Sequence, residues 1–238
     1  MTQPIKNPLV EALECKTAAE MAEAKPLAFK LAAIADEVRK LSPTFAEAVD
    51  AFVGRLQNAE AGAEAPQIGE QLPEVLLPDQ TGKLISLLSV LETGPALVTF
   101  LRGHWCPYCR LTAATLGELR DRVQARGGRI VAITPENRTY IRALEADSGG
   151  GFPILSDIDN GYALSLNLAV WVEASMAKLI AGAGWNIPQY NGDPSWTLPI
   201  PAAFVVDRGG IVRARFVNPD YRLRADYEAM ADALAALE

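Results

Sequence analysis

The chain has 238 residues, half of them hydrophobic and 21% charged, a balance that supports one substantial folded domain with a smaller appendage and argues against extended disorder. Its 29 acidic side chains outnumber 22 basic ones, for a formal charge of −7, and no basic block occurs, which excludes a phosphate-binding nucleic-acid surface. Apolar runs stop short of the roughly 18 residues a membrane-spanning helix needs, and residues 1–10 lack the continuous apolar core of a signal peptide.

Residues 9–60 read as helices without strands. Leu9, Leu13, Leu27, Leu31, Ile34 and Val38 recur at helical spacing with charged residues between them. Ser42-Pro43 reads as an N-cap and first-turn proline that start another helix through Phe45, Val49, Phe52 and Leu56. The expected organisation is a helical extension at 1–60, a linker at 61–66 (Ala-Gly-Ala-Glu-Ala-Pro) and an α/β domain at 67–238. The extension is expected to act as a packing or dimerisation cap, with Cys15 an incidental thiol on it.

In the domain, 75–77 and 84–87 read as a strand pair around Asp79-Gln80-Thr81-Gly82. The compact apolar run 96–101 suits a buried central strand. A turn at 102–105 then leads into a helix from 106 to about 126, closed by Gly127-Gly128. Residues 130–134 form the next buried strand, and Pro135-Glu136 is expected to open a helix through Tyr140, Ile141 and Leu144. A short strand at 152–155 and a helical turn at 159–166 follow. Residues 171–198 read as a helix and a long loop, expected to cover the mouth of the site described next, with Trp185 and Trp196 as candidate lining residues. A hairpin of 203–206 and 211–216 around Asp207-Arg208-Gly209-Gly210 and a helix at 223–237 complete the chain. This order implies a central mixed β-sheet flanked by helices on both faces.

The chemistry centres on Cys106-Pro107-Tyr108-Cys109, which opens a helix directly after the central strand. Unpaired N–H groups and the positive helix end stabilise a thiolate there, and Arg102 and Arg110 can add favourable charge. Residues three apart on a helix also lie within the reach of a disulfide. A zinc site would need further ligands, and the chain offers only Cys15 and its single histidine, His104, so no metal is expected. Helix stabilisation makes a His104 general base unnecessary. Three cysteines, two of them so close together, do not form a secreted disulfide framework, and a reducing cytoplasm is expected. Helix-start exposure favours Cys106 as the attacking sulfur, because Cys109 lies one turn inward.

Several segments resemble the alkyl hydroperoxide reductase/thiol-specific antioxidant (AhpC/TSA) superfamily. Ile68-Gly69-Glu70-Gln71-Leu72-Pro73, Leu77-Pro78-Asp79-Gln80-Thr81-Gly82-Lys83 and Ile85-Ser86-Leu87 are similar to its opening region. Arg102-Gly103-His104-Trp105-Cys106-Pro107-Tyr108-Cys109 resembles the active-site stretch of its peroxiredoxin-like branch. Phe152 to Asp157, Asn191 to Trp196, Ile200 to Asp207 and Asp220-Tyr221-Arg222 resemble later landmarks. The resemblance implies a thioredoxin-like fold and a thiol peroxidase without cofactor. Its substrate would be a hydroperoxide, its reductant thioredoxin or glutathione with glutaredoxin, and its assembly a homodimer. Cys106 and Cys109 would be catalytic, with Arg102, Trp105, Pro107, Tyr108 and Pro201 stabilising the thiolate or contacting substrate, Pro201 as a cis proline opposite the pair. The family's Pro-x-x-x-Thr-x-x-Cys signature places the peroxidatic sulfur at Cys109, with Cys106 at the Thr position and Arg102 at the Pro position. No arginine occupies 200–204, where the family's distant arginine would be sought. These departures keep open a thioredoxin-like disulfide oxidoreductase or a non-catalytic redox-sensing module.

Overall fold

A computed structural model describes residues 7–237. The first six residues of the extension, and with them part of the signal-peptide reading, lie outside the described residues, as does Glu238.

The chain begins with three helices, α1 (Pro8–Ala22), α2 (Leu27–Leu41) and α3 (Pro43–Asn58). Asn7 caps α1 by accepting the Leu9 N–H at 2.9 Å, with Pro8 at the first helical position. Ser42 stands at the N-cap of α3, but its side chain makes no capping hydrogen bond. A small antiparallel pair, β1 (Leu76–Pro78) and β2 (Leu84–Ser86), precedes α4 (Leu87–Leu91).

The central sheet is built from β3 (Ala96–Phe100), β4 (Arg129–Thr134), β5 (Ile154–Ser156), β8 (Ala202–Val206) and β9 (Val212–Val217), in the order β5-β4-β3-β8-β9. Strands β3, β4 and β5 run parallel, while β8 and β9 are antiparallel additions, so the sheet is mixed. Between β3 and β4 lies α5 (Pro107–Ala125), and between β4 and β5 lies α6 (Arg138–Ser148). Gly117 lets these helices touch: a Cβ there would stand 1.8 Å from the Ser148 carbonyl oxygen.

The strands are apolar on both sides because both faces are covered. Alternate residues divide between two cores, Leu97 and Leu101 on one face, Ala96, Val98 and Phe100 on the other. The first core takes α5, α6 and the C-terminal α10 (Tyr227–Ala235); the second takes α4 and the short α7 (Gly161–Ser165). Leu13, Leu31, Ile34, Phe45, Val49 and Phe52 from α1, α2 and α3 join the first core, so the extension packs onto the outer side of α5. Each such buried side chain contributes ~1.5–3 kcal/mol relative to exposure. The 61–66 segment is anchored too: Ala65 is fully buried in the second core, and Gly62 lies against Ile200 and Val217.

Residues 171–198 hold more structure than the composition suggests. They carry α8 (Ala174–Ala183) and α9 (Ile187–Asn191), and a two-stranded pair, β6 (Ala169–Trp171) with β7 (Thr197–Pro199), closes their base. The Asn7 side-chain amide donates to the Gly182 carbonyl at 3.2 Å, tying the start of α1 to the end of α8.

Three expectations need correction. Pro135-Glu136 does not open α6; Asn137 is the N-cap, accepting the Thr139 N–H, which leaves the Glu136 side chain free to turn inward. The last helix starts at Tyr227, capped by Asp226, so 220–226 is a loop. No cis peptide occurs among the described residues, so Ile200–Pro201 is trans, the usual isomer for an X–Pro bond.

Candidate active site

Beyond β3 the chain leaves the sheet through Arg102, Gly103, His104 and Trp105 and enters α5. Cys106 is the N-cap in extended conformation, Pro107 the first helical residue and Cys109 the third. The Cys106 carbonyl accepts the amides of Cys109 at 3.0 Å and Arg110 at 3.1 Å, so both sulfurs belong to one helical turn. The cysteines are free thiols, and exposure does not distinguish them: 1% for Cys106 and 0% for Cys109. The expectation that Cys106 is the exposed sulfur is therefore corrected, because α1, α2, α3 and α8 enclose the helix start.

What distinguishes the sulfurs is charge. The Arg102 backbone N–H donates to Cys109 Sγ at 3.2 Å, and Arg224 Nη2 donates to it at 3.3 Å. Burial opposes ionisation of Cys109, but the hydrogen bond from the Cys106 thiol, the charges of Arg224 and Arg102 and the Arg102 amide outweigh it and hold Cys109 well below the usual thiol range. Burial pushes Cys106 well above that range, and its hydrogen bond to Cys109 and the Cys109 charge add to the effect. The surroundings thus favour the anion on Cys109 and the proton on Cys106.

The cations are fixed in place. Arg102 lies with its guanidinium carbon 3.8 Å from the Tyr221 ring centroid and 4.8 Å from that of Trp105. Tyr221 meets Tyr108 edge-on at 5.5 Å, and the Trp105 indole N–H donates to the Arg102 carbonyl at 3.2 Å. Arg224 Nη1 donates to the Tyr221 and Leu223 carbonyls at 2.5 and 2.7 Å, which aims the other end of its fork at Cys109.

Arg102, Trp105, Cys106, Pro107 and Tyr108 line an apolar cavity of about 30 Å³, with further walls from the extension and from α8. Cys106 faces this space, and Cys109 lies behind it, outside the lining. Leu13, Ile34 and Phe45 approach from the extension; Met176, Ile180 and Trp185 approach from 171–198. A vestibule of about 200 Å³ adjoins it, bounded by His104, Arg110, Tyr140, Tyr190 and Trp185. Trp105 packs against Trp185 at 6.3 Å and stacks on Tyr190 at 6.4 Å, so 171–198 covers the site. Trp196 packs against the same core but lines neither space.

Other sequence-based candidates lie elsewhere. His104 Nε2 is 3.3 Å from Asp147 Oδ2, which also accepts Arg110 Nε at 2.7 Å, so the imidazole and Arg110 are engaged with α6. Pro201 is buried at the start of β8 and borders neither space. Cys15 is exposed on α1. Among the described residues no His, Cys, Asp or Glu side chains gather into a set that could hold a metal ion, and no helix is long and apolar enough to cross a membrane.

Sequence reasoning missed Arg224, Tyr221 and Glu136. Tyr221 lies inside a landmark motif and Arg224 two residues beyond it, while the resemblance points to 200–204 for the arginine. Glu136 was assigned to a helix start.

A mixed sheet with its Cys pair at the start of the helix after the central strand defines a thioredoxin-like fold. The AhpC/TSA family model matches residues 68–215, and the chain belongs to that family, a group of thioredoxin-fold redox proteins. Peroxidoxin BcpB from Mycobacterium tuberculosis is similar, with a TM-score of 0.57 and 18% identity over 73% of this chain and 99% of that one. Mycobacterium tuberculosis AhpC has a TM-score of 0.53 and 15% identity over 73% of this chain and 93% of that one. The Xanthomonas campestris bacterioferritin comigratory protein has a TM-score of 0.51 and 12% identity over 69% of this chain and 92% of that one. No curated protein matches the chain. The first three helices precede the family match.

Proposed function

We propose that the chain is a thiol peroxidase in which Cys109 attacks and Cys106 resolves. The observation that carries this reading is the convergence of the Arg102 amide and the Arg224 guanidinium on the Cys109 sulfur. These groups favour a nucleophilic anion at neutral pH, and Arg224 can polarise a bound peroxide as well. The Cys109 thiolate takes the near oxygen of a hydroperoxide; the O–O bond breaks and the leaving alkoxide or hydroxide takes a proton as alcohol or water. The sulfenic acid on Cys109 then condenses with the Cys106 thiol, forming the disulfide and releasing water. An external dithiol, thioredoxin or glutathione with glutaredoxin, supplies two electrons and two protons and returns both thiols.

Alkyl peroxide reduction is the activity named for the Xanthomonas campestris protein, and hydrogen peroxide or an organic hydroperoxide is the substrate of this reading. A cytoplasmic homodimer is part of this reading. One observation favours a second: Cys106, not Cys109, faces the cavity, the arrangement expected of disulfide exchange at Cys106. Stopped-flow mixing of the reduced protein with hydrogen peroxide and cumene hydroperoxide separates the two. Rapid consumption with one disulfide formed per peroxide supports the peroxidase. Insulin reduction without peroxide consumption replaces it with the oxidoreductase.

A further inference from the structure

Glu136 is a fully buried carboxyl group that the reaction above does not use. It follows β4 and Pro135, and because α6 is capped by Asn137, its side chain points back under the active-site turn. Oε2 accepts the His104 backbone N–H at 2.7 Å. Oε1 is buried without a hydrogen-bond partner. The carboxyl occupies the space beside Gly103 where another residue would carry a side chain. A Cβ on Gly103 would stand 2.5 Å from Glu136 Cδ and 2.6 Å from Oε1, and Gly103 has φ of +137°, which disfavours other residues.

These contacts bear directly on the thiolate. The turn that Glu136 holds begins at Arg102, whose amide donates to Cys109, and ends at Cys106, the N-cap of the helix that carries Cys109. We propose that Glu136 is a positioning residue: its buried carboxyl accepts the His104 amide and locks the turn in the geometry that stabilises the Cys109 thiolate.

The neutral form follows from the surroundings. The groups that face the carboxyl are Cys109 from α5, the His104 and Trp105 amides of the turn and Tyr190 from α9, whose phenol it influences. No cation pairs with Glu136 there: the His104 imidazole is turned to Asp147, and Arg224 and the Arg102 amide are committed to Cys109. Burial therefore pushes Glu136 up to about 8, with the Cys109 charge adding to the rise and the two amides opposing it. A second anion beside the thiolate is disfavoured, and a neutral carboxyl still accepts the His104 N–H through Oε2.

The inference rests on Cys109 being the reactive thiolate, and its test does not depend on which substrate the protein takes. The rate of Cys109 alkylation by iodoacetamide is followed from pH 4 to 10 by mass spectrometry of the full chain, in wild type, Glu136→Gln and Glu136→Ala, with far-UV circular dichroism confirming the fold. Glutamine presents a neutral acceptor of the same shape and is expected to keep the wild-type midpoint. Alanine leaves the His104 amide without this acceptor and is expected to raise the midpoint, with about a tenfold loss of rate at pH 6. A folded alanine variant with the wild-type profile overturns the proposal. So does a glutamine variant shifted as far as the alanine one, because the neutral form would then not be the working one.

Discussion

Arg224 sets its Nη2 3.3 Å from Cys109 Sγ across 115 positions of sequence, and it does so from a loop rather than from the sheet. The guanidinium is held at its other end by the Tyr221 and Leu223 carbonyls, so the charge has a fixed position against the sulfur. An opposite charge at this distance typically lowers an acid by about one to three pH units. Arg224→Ala should therefore shift Cys109 alkylation to higher pH and reduce its rate at neutral pH about tenfold or more. Arg224→Lys should recover part of that loss, since it restores charge without the fork. An unchanged profile in a folded Arg224→Ala variant would remove Arg224 from the site.

The asymmetry of the pair gives the single-cysteine variants opposite outcomes. Cys106→Ser retains the thiolate and should accumulate a sulfenic acid at Cys109 that dimedone traps after one equivalent of peroxide. Cys109→Ser removes the thiolate, leaves the raised Cys106 and should trap nothing at neutral pH. Trapping at Cys106 in the second variant would reverse the assignment.

Stability should respond to pH through Glu136. Its carboxyl rises to about 8 in the folded chain from 4.5 as an unperturbed group, so between those values the folded state keeps a proton that the unfolded state has released. Stability from this group therefore falls as pH rises through that window, by the order of a few kcal/mol. Cys109 acts in the other sense: its contribution is present above the unfolded thiol value and is lost as pH falls through its depressed folded value. Urea unfolding of wild type and Glu136→Gln at pH 5, 7 and 9 isolates the carboxyl term. Wild type should lose more stability than the variant toward pH 9; parallel curves would contradict a buried neutral acid.

Leu13 belongs both to the core and to the wall above Cys106. Leu13→Ala should cost ~2–4 kcal/mol and widen the cavity. The rate with cumene hydroperoxide should rise relative to that with hydrogen peroxide, a ratio measured by competition. A constant ratio would mean that the extension does not gate the site.

The extension is also predicted to be inseparable from the domain. Removing residues 1–60 strips Leu31, Ile34, Val49, Phe52 and Val53 from the first core and bares the outer side of α5. The remainder should lose cooperative thermal unfolding and bind a hydrophobic dye. A truncated chain that melts as sharply as the full one would show an independent domain.

Much of this was written in local sequence. The apolar runs of β3 and β4, the turn before Cys106 and the helix after it follow from hydrophobic pattern, proline position and glycine stops, all of which act over a few residues. Cys106 and Cys109 were identifiable for the same reason, since their chemistry depends on a helix start directly after a strand. Tertiary structure alone decided what surrounds each sulfur. The charge beside Cys109 comes from Arg224 on a distant loop, and the burial of both sulfurs from the closing of α1, α2, α3 and α8 over the helix start. Electrostatic interaction depends on distance in space and on the water excluded between charges, and neither quantity is encoded in the spacing of residues along a chain.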